Sequence, residues 1–471
     1  MFNKYLLLFT LLNGLFAAGG NHDAHLSAND FNMMWLIPFI GILLSIAIMP
    51  LISMKFWHKN YGKVSAFWSA IFLFFFVLNF YDYTLFYILE VYLREFIPFI
   101  MLLLALFAVS GGILISGNIN GTPKLNFIIL LIGTILASIM GTTGASMLLI
   151  RPLIRANSWR KNKTHLIVFF IFLVSNIGGS LTPIGDPPLF LGFLKGVDFT
   201  WTLFNMFLPM LLTSSIVLIL FYIYDFYLYH KEEVVNNNDS LTIKIDGKIN
   251  FLFILVIIGA VILSGMDGLK DFSVFEYKHV MMMSLGTFLQ LIILMLVTFL
   301  SLKFTPKECR EGNGFTWEPI KEVAKLFATI FLTMVPAIEM LKGVTKEVGP
   351  MSWVKKIIID DQGRNIDSMY FWLTGGLSSF LDNAPTYVVF FTTALGSNNV
   401  EWLMNSENTL LAISCGAVFM GAMTYIGNAP NFMVKSIAEE NKISMPSFFG
   451  YMVWSVIVLL PIMFLVSYIF F

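Results

Sequence analysis

The stretch Ser175 to Phe190, which reads SNIGGSLTPIGDPPLF, interrupts a chain of strongly apolar segments. Proline removes a backbone donor and clashes with the preceding turn, and glycine leaves the backbone unconstrained, so this combination ends a helix. A long apolar run nevertheless precedes it, and LFLGFL follows from Leu189. Unwound backbone at bilayer depth is tolerated only where protein buries it or water reaches it. A break of this kind that contains Asp186 therefore predicts a binding site.

The composition identifies an integral membrane protein. Hydrophobic residues make up 57% of the 471 residues and charged residues only 12%, and the mean hydropathy is +0.79. These values lie far outside the range of soluble domains. Lys plus Arg and Asp plus Glu both number 29, so the zero net charge gives no indication of a nucleic-acid partner. The two cysteines, Cys309 and Cys415, exclude a disulfide framework.

We predict an all-α polytopic membrane protein with about eight full spans. The predicted full spans are 33–53, 66–89, 96–116, 201–224, 249–266, 279–302, 322–341 and 448–471. Four further segments do not fit as simple spans. Two of them have polar or Gly/Pro centres and are predicted to be re-entrant helical hairpins, and two are predicted to be broken transmembrane helices. The hairpins are 125–155 and 369–396, and the broken helices are 164–197 and 409–437.

The chain divides into two membrane halves. Residues 1–20 have an apolar run followed by small residues, which predicts a signal peptide, with an uncleaved first helix as the alternative. Residues 21–228 form the first half and 249–471 the second, joined by the hydrophilic segment 229–248, which we predict to be a cytoplasmic linker. If the mature N-terminus is outside and both hairpins are re-entrant, most Lys and Arg residues fall on the inside, as membrane proteins prefer.

An internal repeat relates the two halves. The pattern T-x-I-G-[DN]-x-P-x-F occurs at Thr182–Phe190 and again at Thr424–Phe432. Upstream, LASIMGTTG from Leu136 aligns with LSSFLDNAP from Leu377. The two matches are separated by nearly equal distances in the two halves. On the predicted topology the hairpins open to opposite sides, so the repeat is inverted, as in many transporters whose substrate site lies near the bilayer midplane.

Two acids are the predicted coupling residues. Asp186 lies in the first broken helix and Asp382 in the second hairpin; they align with Asn428 and Gly141. A charged Asp at the bilayer centre costs about 2.5 to 3.5 kcal/mol, so it normally faces a cavity or a partner. A proton and a cation would compete for such a carboxylate, which is the minimum chemistry for exchange. The alternative is that each Asp only caps a half-helix.

Neutral side-chain oxygens surround the same breaks and suit Na⁺, which is held by such oxygens together with freed backbone carbonyls. Each of these residues could equally be a structural cap. The predicted binding residues are Ser175, Asn176, Thr182, Asp186, Asp382, Asn383, Thr386, Thr424, Asn428 and Asn431. Of these, the Na⁺ candidates are Asn176, Asp186, Asp382, Asn383 and Asn428. We predict no cofactor, with Na⁺ and H⁺ as transported ions.

These motifs resemble those of the ion transporter superfamily over residues 96–470. SNIGGSLTPIGDPP is similar to the broken-helix motif of its D-type sodium/proton antiporters and of the related putative citrate transporters, and SSFLDNAP is similar to the hairpin motif. The resemblance implies a scaffold, a moving transport domain and a homodimer. Carboxylate carriers typically have a Ser-Asn-Thr motif in both halves. Here Ile177 replaces the Thr, and Ala417-Val418 stands opposite Ser175-Asn176.

The predicted function is a secondary transporter that exchanges Na⁺ for H⁺ by alternating access. The alternative is Na⁺- or H⁺-coupled uptake of a carboxylate such as citrate. An intramembrane hydrolase is disfavoured, because no intramembrane His is placed as a base for Ser146 and Pro183 occupies a position where an aspartyl protease motif needs glycine. We predict a multi-pass protein of a bacterial inner (plasma) membrane, with membrane lipid and a small ion or carboxylate as its partners.

Overall fold

A computed structural model describes residues 25–117, 120–232, 243–396, 398–406 and 408–471. The predicted signal peptide and half of the predicted linker, residues 233–242, lie outside the described residues. The helices are α1 Ile37–Ile52, α2 Met54–Asn79, α3 Tyr81–Leu89, α4 Ile97–Ser110, α5 Pro123–Met140, α6 Thr142–Ala156, α7 Thr164–Leu173, α8 Pro187–Leu194, α9 Trp201–Tyr229, α10 Ile249–Ser264, α11 Leu285–Phe304, α12 Lys307–Gly312, α13 Glu318–Thr333, α14 Val335–Lys342, α15 Lys355–Ile358, α16 Asp367–Phe380, α17 Asn383–Leu395, α18 Val400–Asn405, α19 Thr409–Met420, α20 Ala429–Glu440 and α21 Phe448–Phe470.

Two short antiparallel strand pairs accompany the helices at loop positions. Strand β1 (Leu114–Ser116) pairs with β2 (Lys244–Asp246), so the end of the predicted linker is tied to the loop after α4. Strands β3 (Ser273–Tyr277) and β4 (Val280–Ser284) form the second pair. The sequence analysis did not predict either pair, because each lies beside an apolar helix whose hydropathy dominates the pattern.

The fold is that of an all-α polytopic membrane protein, as predicted. Within the described residues eight helical segments are long and apolar enough to cross a bilayer, or nine if one bent pair counts as a span. The segments are Met33–Ile52, Lys55–Asn79, Tyr81–Ser110, Pro123–Met140, Thr164–Leu181, Trp201–Tyr229, Leu285–Phe304 and Phe448–Phe470.

Several predicted spans differ from the helices in the structure. The predicted span 66–89 contains a break at Phe80, where the backbone turns out of helical geometry, so the true segments are Lys55–Asn79 and Tyr81–Ser110. Hydropathy alone could not locate this break, because aromatic residues flank it on both sides. The predicted span 322–341 is α13 followed by α14, which bend by 42°. Pro336 near the start of α14 explains the bend, since it can donate no backbone hydrogen bond.

The described helices pack into two groups. The first group contains α1, α2, α4, α10, α11 and α13; α2 packs on α1 and α13, and α4 packs on α10 and α11. The second group contains the predicted hairpins and broken helices together with α9 and α21. The groups meet where α4 contacts α6 and where α14, which directly follows α13, contacts α17. An ion pair of 2.6 Å between Glu95 and Lys195 also joins them.

Both predicted hairpin segments fold back on themselves. In the first, here called hairpin 1 (α5 and α6), the Gly121 N–H donates to the carbonyl of Ala156 at 2.8 Å, so its two ends meet. Gly141 makes the tight connection at φ +79°, which side chains rarely tolerate. In hairpin 2 (α16 and α17), the rings of Tyr370 and Phe390 meet edge to face at 6.5 Å between centroids.

A buried charged network holds hairpin 1 against α9. The Asp225 carboxylate accepts from the Arg160 guanidinium, from His165 Nε2 at 2.8 Å and from Asn126 Nδ2 at 2.9 Å. Arg160 Nε also donates to Glu232 at 3.0 Å, and the side chains of Arg160 and Asp225 are fully buried. Arg160 and His165 are buried because the segment that follows hairpin 1 folds inward onto α9.

We expect Asp225→Asn to destabilise the protein strongly, because Arg160 then keeps only Glu232 as a counter-charge and the buried His165 loses its carboxylate partner. Removing one partner of a buried ion pair typically costs about 3 to 5 kcal/mol. Thermal unfolding in detergent, followed by tryptophan fluorescence, measures the effect. Glu318→Gln is the matched control, because Glu318 forms an exposed ion pair with Lys321. Equal unfolding temperatures for the two variants would contradict the expectation.

Candidate functional site

Two hydrogen bonds at the first break have equivalents at the second, as the internal repeat predicts. In the first half the Thr182 hydroxyl donates to the carbonyl of Ser138, and in the second the Thr424 hydroxyl donates to the carbonyl of Ser379. The backbone bond from the Thr142 N–H to Gly185 O, at 2.8 Å, has its counterpart from Asn383 to Gly427 at 3.2 Å. Each hairpin tip is therefore bound to the broken helix of its own half by the same contacts.

The two broken helices are unwound where the sequence analysis predicted. In broken helix 1 (α7 and α8) a 3-10 turn at Ile177–Leu181 precedes the second helical arm. In broken helix 2 (α19 and α20) the corresponding turn is Gly421–Met423. Prolines at the first turns of α8 and α20 begin both second arms, a position where the missing N–H is harmless.

Asp186 lies where four helices begin. It directly precedes α8, and α6, α17 and α20 start around it; it is only 1% exposed. Its carboxylate does not cap its own helix, so the capping alternative does not describe Asp186. Instead it accepts hydrogen bonds from the Thr142 hydroxyl (2.9 Å) and from the side-chain amides of Asn428 (2.9 Å) and Asn383 (2.6 Å).

The internal repeat relates these three donors to Asp186 and to one another. Asn428 is the repeat equivalent of Asp186, and Thr142 and Asn383 are equivalents of each other. The carboxylate thus lies at the centre of the pseudo-symmetric arrangement. In the part of the chain that the structure describes, no Lys or Arg pairs with it. A buried acid surrounded by neutral donors has an unbalanced charge when ionised, and a proton or a cation can balance it.

An asparagine network connects the two broken helices beside Asp186. Asn176 Nδ2 donates to Asn431 Oδ1 at 2.7 Å and to the carbonyl of Ile171 at 2.8 Å. Asn431 Nδ2 in turn donates to the carbonyls of Gly421 (2.8 Å) and Thr424 (2.9 Å). These bonds satisfy backbone groups that the breaks leave without helical partners.

Asn383 has a free acceptor next to Asp186. Its amide nitrogen is used by the carboxylate, but its Oδ1 atom is buried and makes no hydrogen bond to the described residues. Buried polar atoms almost always have a partner, so an unpaired oxygen marks a place for a donor, water or ion. It is the kind of neutral oxygen with which Na⁺ is coordinated.

The other predicted residues occupy distinct positions. The hydroxyl groups of Ser175 and Ser146 are hydrogen-bonded to each other at 2.9 Å, and the Ser175 carbonyl accepts from the Asn428 amide. Thr386 donates to the Asp382 carbonyl at 3.0 Å. The hydroxyl groups of Thr182 and Thr424 donate to the carbonyls of Ser138 and Ser379 in the two hairpins. Their oxygens are therefore engaged with neighbouring groups, whereas Asn383 and Asn428 donate to Asp186 directly and Asn176 and Asn431 form the network next to Asn428.

Asp382 differs from Asp186. Its Oδ1 accepts from the N–H of Ala384 at 3.1 Å, so it does cap α17, which was the alternative interpretation. Its side chain is half-buried and lines a cavity of about 80 Å³ between α4, α6, α13 and α20. Thr142 and Asn428 line the same cavity, and Asp382 is the one ionisable residue in its lining.

Thr142 was missed by the sequence analysis, although it contacts Asp186 directly. The signal that could have found it was present, because the hairpin alignment pairs Thr142 with the predicted residue Asn383. The alignment of Gly141 with Asp382 extends by one residue to this pair.

The comparison with known families agrees with this architecture. The family described as "Putative citrate transport" (CitMHS_2) matches residues 28–471, nearly the whole chain. The chain belongs to this family. A search of curated proteins finds no match. Together with the eight candidate spans, membership in the citrate-transport family indicates a multi-pass secondary transporter rather than an enzyme.

In this member of the citrate-transport family, the two arginines of hairpin 1, Arg151 and Arg155, lie away from the cavity. Arg155 donates to the carbonyl of Ile115, and the Arg151 guanidinium lies close to Gly314. Neither residue lines the cavity. Among the described residues no cluster of three His, Cys, Asp or Glu side chains could hold a metal ion, so a cation at the site would depend on neutral oxygens besides carboxylates.

Proposed function

We propose that the protein exchanges Na⁺ for H⁺, with Asp186 as the group that holds either ion. The observation that supports this proposal is the Asp186 carboxylate, which is buried among neutral donors at the meeting point of both repeats. When Asp186 is ionised, Na⁺ can balance its charge; when Na⁺ leaves, a proton can. The free Oδ1 of Asn383 and the side-chain oxygens of Asn176 and Thr142 would supply neutral ligands.

The charge of the cavity also supports a cation. Citrate is polyanionic at neutral pH, and sites that hold carboxylates usually present Arg or Lys. Among the described residues that line the cavity there is no basic side chain, and the acid Asp382 is their one ionisable group. A carboxylate entering the cavity would therefore meet a like charge unless a cation accompanied it.

Alternating access would arise from movement between the two helix groups. The cavity follows α4 from Phe99 to Phe107 and α13 from Pro319 to Phe327, where the two groups face each other. One turn before Phe99, the Glu95–Lys195 ion pair holds the groups together. A rigid displacement of the hairpins and broken helices past α4 and α13 would close this cavity and open a second one. We propose that this occurs in a homodimer in a bacterial plasma membrane.

Coupled carboxylate uptake is the second candidate. The family description favours it, and so do the four helix N-termini around Asp186, whose amide ends attract anions. Three of the N-terminal positions in α8 and α20, however, are the prolines Pro187, Pro188 and Pro430, which lack an N–H. Asp186 itself lies at the start of α8. Fewer amides are therefore free for a substrate anion than the number of helices suggests.

Reconstituted transport separates the two candidates. Proteoliposomes loaded with a pH-sensitive dye should report Na⁺-driven proton movement between pH 6 and 9 without any carboxylate present. Uptake of radiolabelled citrate is measured in parallel, with unlabelled di- and tricarboxylates as competitors. Citrate uptake that requires Na⁺ or H⁺, with no proton movement in its absence, would replace exchange by carboxylate transport.

Substitutions of Asp382 separate its charge from its capping bond. Asparagine caps helices as well as aspartate, so we expect Asp382→Asn to unfold at the wild-type temperature and to slow Na⁺-driven proton movement. Asp382→Ala also loses the bond to Ala384 and should be less stable by about 1 kcal/mol. Transport at the wild-type rate in Asp382→Asn would show that Asp382 acts only as a cap.

A further inference from the structure

A recess lined by basic residues lies at the start of α2, and none of the residues that line it lines the cavity beside Asp382. His58, Lys59, Tyr61, Gly62 and Lys63 line it together with Lys325 of α13, and its volume is about 430 Å³. The Lys325 side chain crosses the backbone of Gly62, where an added Cβ would lie 3.1 Å from its Cδ atom. Glycine at this position therefore lets α2 and α13 bring their lysines together.

The recess carries more positive than negative charge among the described residues. In the described residues, none of Lys59, Lys63 and Lys325 forms an ion pair. The Lys325 ammonium group lies 5.0 Å from the centre of the Tyr61 ring. Two acids, Glu318 and Glu322, lie nearby.

Each of these acids has its own partner. Glu318 pairs with Lys321 at 3.0 Å, and Glu322 accepts from the Trp57 indole at 2.7 Å. His58, which is exposed, lies near both acids, and Lys325 lies near Glu318. Together with Lys321, the three lysines of the recess make four positive charges beside two carboxylates, and an anionic ligand would balance the excess.

The face of α2 below the recess is apolar and exposed. Counting from Lys59, the residues Lys63, Phe67, Phe74 and Leu78 follow at helical spacings, so all five lie on one side of the helix. Phe67 is 56% exposed, Phe74 is 62% and Leu78 is 67%. Because α2 is a candidate membrane span, this face meets lipid chains while its lysines lie at the end of the span.

We propose that this recess binds the phosphate headgroup of an anionic phospholipid, with its acyl chains along Phe67, Phe74 and Leu78. Basic recesses between membrane helices bind such headgroups, and Lys and Arg near the cytoplasmic leaflet are attracted by its negative lipids. A free phosphate ion would use the lysines but not the apolar face below them.

Native mass spectrometry of the full-length protein tests the proposal with phosphatidylglycerol and phosphatidylcholine as probes. The variant Lys59→Gln/Lys63→Gln/Lys325→Gln removes the three charges. The control Lys161→Gln/Lys307→Gln/Lys442→Gln removes three exposed lysines elsewhere. We expect wild type and control to retain phosphatidylglycerol but not phosphatidylcholine. Binding should weaken about five-fold for each lysine removed and about a hundred-fold in the first triple variant.

Three outcomes would overturn the proposal. The first is equal retention of phosphatidylglycerol by the two triple variants. The second is equal retention of both lipids by the wild type. The third is displacement of phosphatidylglycerol by inorganic phosphate in molar excess, which would identify free phosphate as the ligand. The unfolding temperature without added lipid shows whether the first triple variant is folded, and the single variant Lys59→Gln gives the same readout with a smaller change.

Discussion

Replacing Asp186 with asparagine should abolish Na⁺-driven proton movement while the protein stays folded. The amide has the shape of the carboxylate but can neither bind a proton near neutral pH nor balance a cation. Its oxygen can keep the bonds from the Thr142 hydroxyl and the Asn428 amide. Its nitrogen would face the Asn383 amide nitrogen, and a rotation of Asn383 would present its free Oδ1 instead. We therefore expect little change in unfolding temperature.

The internal repeat provides a control for this variant, in which the carboxylate is moved to the equivalent position in the second half. Asn428 lies 2.9 Å from the Asp186 carboxylate and occupies the equivalent position in the second half. The double variant Asp186→Asn/Asn428→Asp returns one carboxylate to the same centre. We expect it to recover measurable transport, while Asp186→Asn alone stays at the level of protein-free liposomes. Wild-type transport by Asp186→Asn would exclude Asp186 as the coupling acid.

Gly185→Ala should inactivate the transporter by a different mechanism. A Cβ atom at Gly185 would lie 2.1 Å from the carbonyl oxygen of Gly179, and backbone cannot move aside as a side chain can. The equivalent Gly427→Ala meets the carbonyl of Gly421 at 2.5 Å. Forcing extra atoms into packed structure costs about 1 to 3 kcal/mol or more. We expect lower unfolding temperatures and loss of transport in both variants.

Gly376→Ala is the matched control for these glycine variants. Gly376 lies in α16 of hairpin 2, and nothing lies within 4 Å of a Cβ built there. Alanine favours a helix over glycine, so this variant should keep or slightly raise the unfolding temperature and should transport normally. If Gly185→Ala and Gly376→Ala behaved alike, the close backbone contact at the break would not be required.

The sequence located the breaks and the repeat because their signals are local. Gly-Asp-Pro-Pro and Gly-Asn-Ala-Pro cannot continue a helix, and their matching spacing to the hairpins identifies the two halves. Proximity to Asp186 was predictable for Asn428 and Asn383, since the repeat places equivalent residues around one centre. It was also predictable for Thr142, had the alignment been applied to every position.

Other features depend on contacts that no local pattern records. The burial of Arg160 and His165 follows from their packing on Asp225, 65 and 60 residues away along the chain. The cap formed by Asp382 and the free oxygen of Asn383 depend on side-chain orientation. The break at Phe80 is hidden by aromatic residues that suit a helix on either side. These features become visible only when the helices are assembled.

Proton release on Na⁺ binding tests the role of Asp186 most directly. Purified protein in weakly buffered detergent solution is mixed with NaCl, or with choline chloride as a control, and a pH indicator reports protons. If Asp186 holds either ion, wild-type protein should acidify the solution with NaCl alone, and Asp186→Asn should release no protons. Na⁺ binding detected by calorimetry without proton release, or release from Asp186→Asn equal to that of wild type, would contradict Na⁺/H⁺ exchange at Asp186.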